Sequence, residues 1–260
     1  MTRFVLALAL LTAFVAPLIA QTATPVQPGT CPTERRVISG SFQPAAGPVK
    51  IAFFDADSTL RVAPSGSVSA NGPTDVAILP LVAEQLVKLN KDGYLLAIVS
   101  NQNGISQGYV TFEAANAALL YTQSQLAKLG VSFHYYDFAE RSDENRKPDI
   151  GMGKRLADTI KAKLGRDVDW AHTIMVGDSG WKKGKDVEPD GTPGEDFSNA
   201  DRLFGENLAK RFGGVQFHHP RTFFRWLRHG VRNFPDYQSV RTFVTAHPEL
   251  DPGVNPPVSK

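Results

Sequence analysis

The feature that most constrains this chain is an apolar run that stops at two carboxylates one residue apart, Val49-Lys50-Ile51-Ala52-Phe53-Phe54-Asp55-Ala56-Asp57-Ser58-Thr59-Leu60. An unbroken apolar run ending in polar residues reads as a buried parallel strand whose C-terminal end opens into a loop. In open α/β sheets, ligands sit at that edge. Taken alone, an Asp-x-Asp pair is more often a polar strand end with an Asp turn than a catalytic pair. The sharper expectation is a nucleophilic Asp55 followed by an acid/base Asp57.

Three segments downstream favour the sharper expectation. Tyr94-Leu95-Leu96-Ala97-Ile98-Val99-Ser100 is a second buried strand that delivers a hydroxyl, and Asn101-Gln102-Asn103-Gly104-Ile105 follows it. Arg146-Lys147-Pro148 supplies cations just before a helix, and Thr173-Ile174-Met175-Val176-Gly177-Asp178 is another strand ending in a carboxylate. With motifs in this order and at this spacing, the chain resembles the haloacid dehalogenase (HAD) phosphatase superfamily.

At 260 residues and 42% hydrophobic content, the chain can bury one sizeable core. Its 28 Lys and Arg nearly balance its 26 Asp and Glu, so net charge gives no general reason to bind nucleic acid. The single cysteine, Cys31, excludes an intramolecular disulfide and leaves no cysteine set for a zinc site. Met1-Thr2-Arg3, the apolar Phe4 to Ala16 and the small Ala20 have the layout of a secretory signal peptide over residues 1–20. The expectation is therefore an exported protein, periplasmic or secreted, with no stable membrane association after cleavage. The alternative is an uncleaved N-terminal anchor.

Residues 21–48 are rich in Thr, Pro, Gly and Ala and read as a linker or loosely attached arm. A domain over residues 49–232 follows. Residues 61–72 should form a loop or short hairpin beside the first carboxylates. Helical spacing of apolar residues predicts helices over 73–90, 111–129 and 151–164, with Thr111 as an N-cap and Gly130 and Gly165 as terminators. Strands are expected over 131–138 and 215–217, a helix to about Arg211, and a basic amphipathic helix over 222–231. Strand and helix alternate, so the fold class is α/β: a Rossmann-like parallel sheet with helices on both faces, a short flap and no large cap domain. Residues 233–260 read as an extension whose Pro-containing end, from His247 onward, is unordered. The cluster Trp181, Lys182, Lys183 and Lys185 fits either a solvated surface or a substrate-facing one, and His218-His219 reads as a strand end.

The resemblance sharpens further along the chain. Ser100-Asn101-Gln102-x-Gly104-Ile105, Arg146-Lys147-Pro148, Val176-Gly177-Asp178, Lys185, and Asp196-Phe197-Ser198-x-Ala200-Asp201-Arg202-Leu203-Phe204 look like the phosphatase domain of polynucleotide kinase 3'-phosphatases. Pro64-Ser65-Gly66-x-Val68, Gly72-Pro73-x-Asp75 and Pro220-Arg221-Thr222-Phe223-Phe224 fit the same pattern. Ser58 stands where that family usually has glycine. No Gly-x-x-x-x-Gly-Lys-Ser/Thr phosphate loop is present.

The resemblance implies Asp55 as the nucleophile that forms an aspartyl-phosphate, and Asp57 as the acid and base. It implies Ser100 on a phosphoryl oxygen and Lys147 as the offsetting charge. Thr59, Asn101, Gln102 and Arg146 are expected substrate contacts. Mg²⁺ is expected on the carboxylates of Asp55 and Asp178 and the backbone carbonyl of Asp57. Asp196 or Asp201 is expected to support the metal waters or Lys147. The activity expected is hydrolysis of a phosphomonoester, with 3'-phosphorylated DNA or nucleotide as substrate and a monomer as the working form. Two alternatives stand beside it: an exported phosphatase of small nucleotides or sugar phosphates, and a non-catalytic binding protein on the same scaffold.

Overall fold

A computed structural model describes residues 29–255, so the signal-peptide reading lies outside the described residues. Strand β1 (Ile51–Phe54) occupies the centre of a five-stranded sheet. The other members are β4 (Leu95–Asn101), β5 (Tyr135–Ala139), β6 (Ile174–Val176) and β7 (Gln216–His218), in the order β5-β4-β1-β6-β7. All four pairings are parallel, with Phe54 opposite Ile98 on one side and Val176 on the other. β1 is apolar at every position because it is covered on both faces. Ala52 and Phe54 point into one core, and Ile51 and Phe53 into the other, following the strand's period of two.

The first core is closed by α1 (Val82–Lys91) and α2 (Phe112–Lys128), through residues such as Leu86, Leu119 and Leu126. The second is closed by α3 (Gly151–Leu164) and α4 (Ala200–Phe212), through Leu156, Ile160, Phe204 and Leu208. α2 begins as expected, with the Thr111 side chain accepting from Ala114 N, and α3 ends at Gly165 in the left-handed conformation. Burial of Phe53 and Phe54 at 0% exposure stabilises the fold by about 1.5–3 kcal/mol each.

The span expected as one helix over 73–90 divides. Ala77–Ile78 forms β3, which pairs antiparallel with β2 (Arg61–Val62), and α1 starts only at Val82. The hydrogen bond from Leu79 N to Leu60 O holds 76–79 extended against the strand leaving the site, and this pairing outweighs the helical spacing. β2 and β3 form the root of the flap. The Asp75 carboxylate ties its tip by accepting from Ser65 N, Ser65 Oγ and Asn71 N. The helix expected over 222–231 is also broken. α5 covers only Pro220–Phe223, and Arg225 adopts φ 64° before a 3-10 turn over Trp226–His229.

The described parts of two segments expected to be loose, 29–48 and 233–255, are packed. In the arm, Ile38 and Phe42 are buried in the second core. Arg35 reaches Asp137 and Glu140 and lies over the Phe138 ring at 3.8 Å. These contacts, with Arg36 N to Tyr136 O and Ser39 N to His134 O, cover the edge strand β5. After Arg232 the chain forms α6 (Tyr237–Ala246), which seats Val240 and Phe243 against the first core. Beyond His247, the Asn255 side chain bonds both backbone groups of Ile78. No helix among the described residues is long and apolar enough to cross a membrane.

Candidate active site

The carboxyl ends of β1, β4 and β6 converge on one place. Asp55 follows β1, and its amide donates to Val176 O at 2.9 Å, which carries the β1–β6 pairing to the end of the strand. Three residues later Ser58 takes φ 57°, and its amide donates to Arg61 O at 2.8 Å. The serine accepts the left-handed conformation that glycine usually supplies, at about 1 kcal/mol. That turn directs the chain into β2.

Lys147 is almost fully buried. Its Nζ lies 2.6 Å from Oδ1 of Asp55 and 2.7 Å from Oδ1 of Asp201. Its backbone is clamped at two points by Asn101, whose Oδ1 accepts from Lys147 N and whose Nδ2 donates to Lys147 O. Asn101, expected to touch substrate, thus positions the lysine. Asp201 opens α4, and its Oδ2 accepts from Ser179 N at 3.1 Å. The carboxylate can occupy that spot because residue 177 is glycine. A Cβ at Gly177 would fall inside the Asp201 carboxyl group.

The Asp57 carboxylate faces another set of partners. Oδ1 accepts from Arg61 Nε at 2.9 Å, and Oδ2 accepts from Gln102 Nε2 at 2.9 Å. Gln102 Nε2 also donates to Ser100 Oγ at 2.9 Å, so it links two of the expected catalytic groups, Asp57 and Ser100. Thr59, expected as a substrate contact, is fully buried. Its hydroxyl accepts from Asp178 N at 3.1 Å and lies 3.4 Å from Asp178 Oδ1, which aims the Asp178 carboxylate. Arg146 is half-buried and donates from Nη1 to Lys147 O, while its Nε has no partner.

Asp196 and Asp201, indistinguishable in the sequence, do different things. Asp196 braces the loop after β6: its Oδ2 accepts from Gly180 N and Trp181 N, and His219 Nε2 lies 3.4 Å from its Oδ1. Burial works against its charge, but these donors hold its pKa below the usual carboxylate value. His219 Nε2 also reaches Asp178 O at 3.2 Å, while its Nδ1 accepts from Arg221 N. Arg61 and His219 were missed in the sequence. The first sits in what reads as a loop or short hairpin and the second in what reads as a plain strand end.

Asp55, Asp178 and Asp201 bring carboxylate oxygens within 4.8 Å of one another. The carboxylate set expected from sequence lacked Asp201, and the side chain of Asp57 is turned away to Arg61 and Gln102. Burial, with Asp201 and Asp57 nearby, pushes Asp55 up to about 7 even though Lys147 pulls it down. Burial, followed by Asp55 and Asp201, raises Asp178 well above the usual carboxylate value. Lys147 is raised too, because Asp201 and Asp55 outweigh the burial that disfavours its charge. One ammonium thus pairs with two of three crowded carboxyl groups, and with all three ionised negative charge would be left over. A hard oxygen donor set with uncompensated negative charge fits a small divalent cation such as Mg²⁺.

Residues 50–224 match the family model for polynucleotide kinase 3 phosphatase. The chain belongs to this family. As such it is a phosphatase of the HAD superfamily, related to polynucleotide 3'-phosphatases. The bifunctional polynucleotide phosphatase/kinase of Schizosaccharomyces pombe is 31% identical over 207 residues, covering 76% of this chain and 44% of that protein. An uncharacterised 20.8 kDa protein of Autographa californica nuclear polyhedrosis virus is 33% identical over 164 residues, covering 63% of this chain and 81% of that one. The solved D,D-heptose 1,7-bisphosphate phosphatase of B. bronchiseptica, complexed with magnesium and phosphate, superposes on 63% of this chain and 99% of its own. Its TM-score is 0.43 at 20% identity.

Proposed function

We propose that this family member is a Mg²⁺-dependent phosphomonoester hydrolase that works through an aspartyl-phosphate on Asp55, with 3'-phosphate ends of nucleic acid or nucleotides as substrate. The observation that carries this reading is the Asp55 carboxylate at the end of the central strand, gripped by Lys147 and gathered with Asp178 and Asp201.

A phosphate monoester repels nucleophiles by its own charge, so the site must neutralise and align rather than strain the bond. Asp55 attacks phosphorus while the bond to the leaving oxygen breaks. Asp57 gives that oxygen its proton, then takes one from the water that hydrolyses the acyl phosphate. Lys147 offsets the charge shared by Asp55 and the phosphoryl group, and Ser100 supplies a hydroxyl to a phosphoryl oxygen. Asp55, Asp178 and Asp201 would hold Mg²⁺, which when bound supplies further neutralisation of phosphoryl charge. The loop after β6 exposes Lys182, Lys183, Lys185 and Phe197, and this supports a substrate with more negative charge and an aromatic base near the phosphate.

Export belongs to the same proposal, supported by Arg3, the apolar Phe4 to Ala16 and Ala20. An exported enzyme would meet free nucleotides, degraded nucleic acid or other phosphomonoesters, and this keeps a small-molecule phosphatase as the second reading. The test is a hydrolysis panel of 3'-phosphorylated oligonucleotides, mononucleotides and sugar phosphates with Mg²⁺, run beside Asp55→Asn. Preference for the oligonucleotide ends, and loss of at least about 1000-fold in the variant, is the expected result. Preference for sugar phosphates would move the substrate to the second reading. Appreciable turnover by a folded Asp55→Asn protein would remove the covalent mechanism. N-terminal sequencing of protein from the native host tests export: an intact Met1 in the cytoplasmic fraction would refute it.

A further inference from the structure

Arg61 lies in β2 at the root of the flap, with 0% of its surface exposed. Burying a guanidinium is unfavourable unless it is paired and hydrogen-bonded. Nε donates to Oδ1 of Asp57 at 2.9 Å, and Nη1 donates to Thr122 Oγ1 at 2.9 Å. The Thr122 hydroxyl in turn donates to Ala118 O within α2. The guanidinium is therefore held from behind by α2 and presents one edge to Asp57, while Nη2 stays buried without a partner. Stability alone does not account for this arrangement, because an apolar side chain of similar volume would fill the space without an orphaned donor.

We propose that Arg61 is a positioning residue for proton transfer by Asp57. This rests on the reading of Asp57 as the acid and base. As the bond from phosphorus to the leaving oxygen breaks, the Asp57 proton moves to that oxygen and Asp57 becomes a carboxylate. In the second half it takes a proton back from water. Either transfer requires the carboxyl group to stay within hydrogen-bond reach of the reacting oxygen. Asp57 sits in the loop between β1 and β2, where its side-chain torsions depend on its hydrogen-bond partners. Arg61 on Oδ1 and Gln102 on Oδ2 fix them, and each oxygen keeps a lone pair for the proton. The guanidinium also offsets the charge that appears when Asp57 ionises beside Asp55. Because Arg61 belongs to β2, its bond to Asp57 ties the root of the flap to the proton donor.

The experiment compares two leaving groups. An aryl phosphate with an acidic phenol departs without a proton, whereas an alkyl phosphate needs one. kcat/KM is measured for both in the wild type, Asp57→Asn, Arg61→Met, Arg61→Lys and Thr122→Val, with thermal unfolding to confirm folding. Asp57→Asn and Arg61→Met are expected to lose about 100-fold or more on the alkyl substrate and less than about 10-fold on the aryl one. Thr122→Val and Arg61→Lys should show the same bias at smaller size. They carry the comparison if Arg61→Met does not fold. Equal losses on both substrates in the folded Arg61 variants, or no loss, would overturn the proposal while leaving Asp57 as the acid. Absence of bias in Asp57→Asn would instead overturn the acid reading, and this proposal with it.

Discussion

Lys147 Nζ lies 2.6 Å from Oδ1 of Asp55, and both groups are buried. An ammonium in such a place is held only by its partners, here Asp55 and Asp201, with Asn101 fixing its backbone. The same contact keeps the proposed nucleophile oriented and lowers the repulsion that an incoming phosphate would meet.

Lys147→Met should therefore destabilise the protein by about 3–5 kcal/mol, because it leaves buried carboxylates without their counter-charge. Activity should fall with it. Urea unfolding at neutral pH checks the first expectation, and a variant as stable as the wild type would show that the pairing is not what holds these groups in place.

Chelation should abolish turnover, and Asp178→Ala should raise the Mg²⁺ concentration needed for half-maximal rate by at least about 10-fold, since it removes one hard anionic ligand. Binding to the folded state also raises the melting temperature. A Mg²⁺-dependent rise in the wild type that is absent from Asp178→Ala is expected. Full activity of chelator-treated enzyme without added metal would refute the assignment.

Gly177→Ala tests the placement of Asp201 without removing any charge. The added methyl occupies the position of the Asp201 carboxyl group, so either the strand end or α4 must move, and Asp201 loses its contact with Lys147. A fall in activity of about 100-fold or more is expected, the size of effect that small misplacements produce. Near wild-type rates in Gly177→Ala would mean that Asp201 is dispensable to the site.

His134 predicts an acid-sensitive stability. Burial lowers its pKa from 6.5 to about 4, and its Nδ1 accepts from Leu96 N at 3.1 Å, a bond the protonated ring cannot make. Well above pH 6.5 the ring is neutral in both states and contributes no pH dependence. As pH falls from 6.5 to 4 the unfolded chain takes up a proton that the native chain does not, so stability drops by up to about 3 kcal/mol and then levels off. Urea midpoints between pH 7 and pH 4 should fall less steeply in His134→Gln than in the wild type. Equal slopes would place the acid sensitivity elsewhere.

Much of this was legible in the chain because strands and helices write themselves locally. The apolar runs before Asp55, Ser100 and Asp178 required buried strands, and their polar ends marked the edge of the sheet where the site lies. Thr111 and Gly165 bounded helices by their own backbone chemistry. Tertiary structure alone decided which carboxylate joins Lys147. Asp196 and Asp201 stand in the same motif, and only the docking of α4 beside Gly177 brings Asp201 to the lysine while Asp196 turns to the Gly180 and Trp181 amides. It also decided that Arg61 meets Thr122, 61 positions along the chain, and that Thr59, Asn101 and Gln102 hold Asp178, Lys147 and Asp57. Pairing of buried charges depends on where distant elements pack, and sequence periodicity carries no record of that distance.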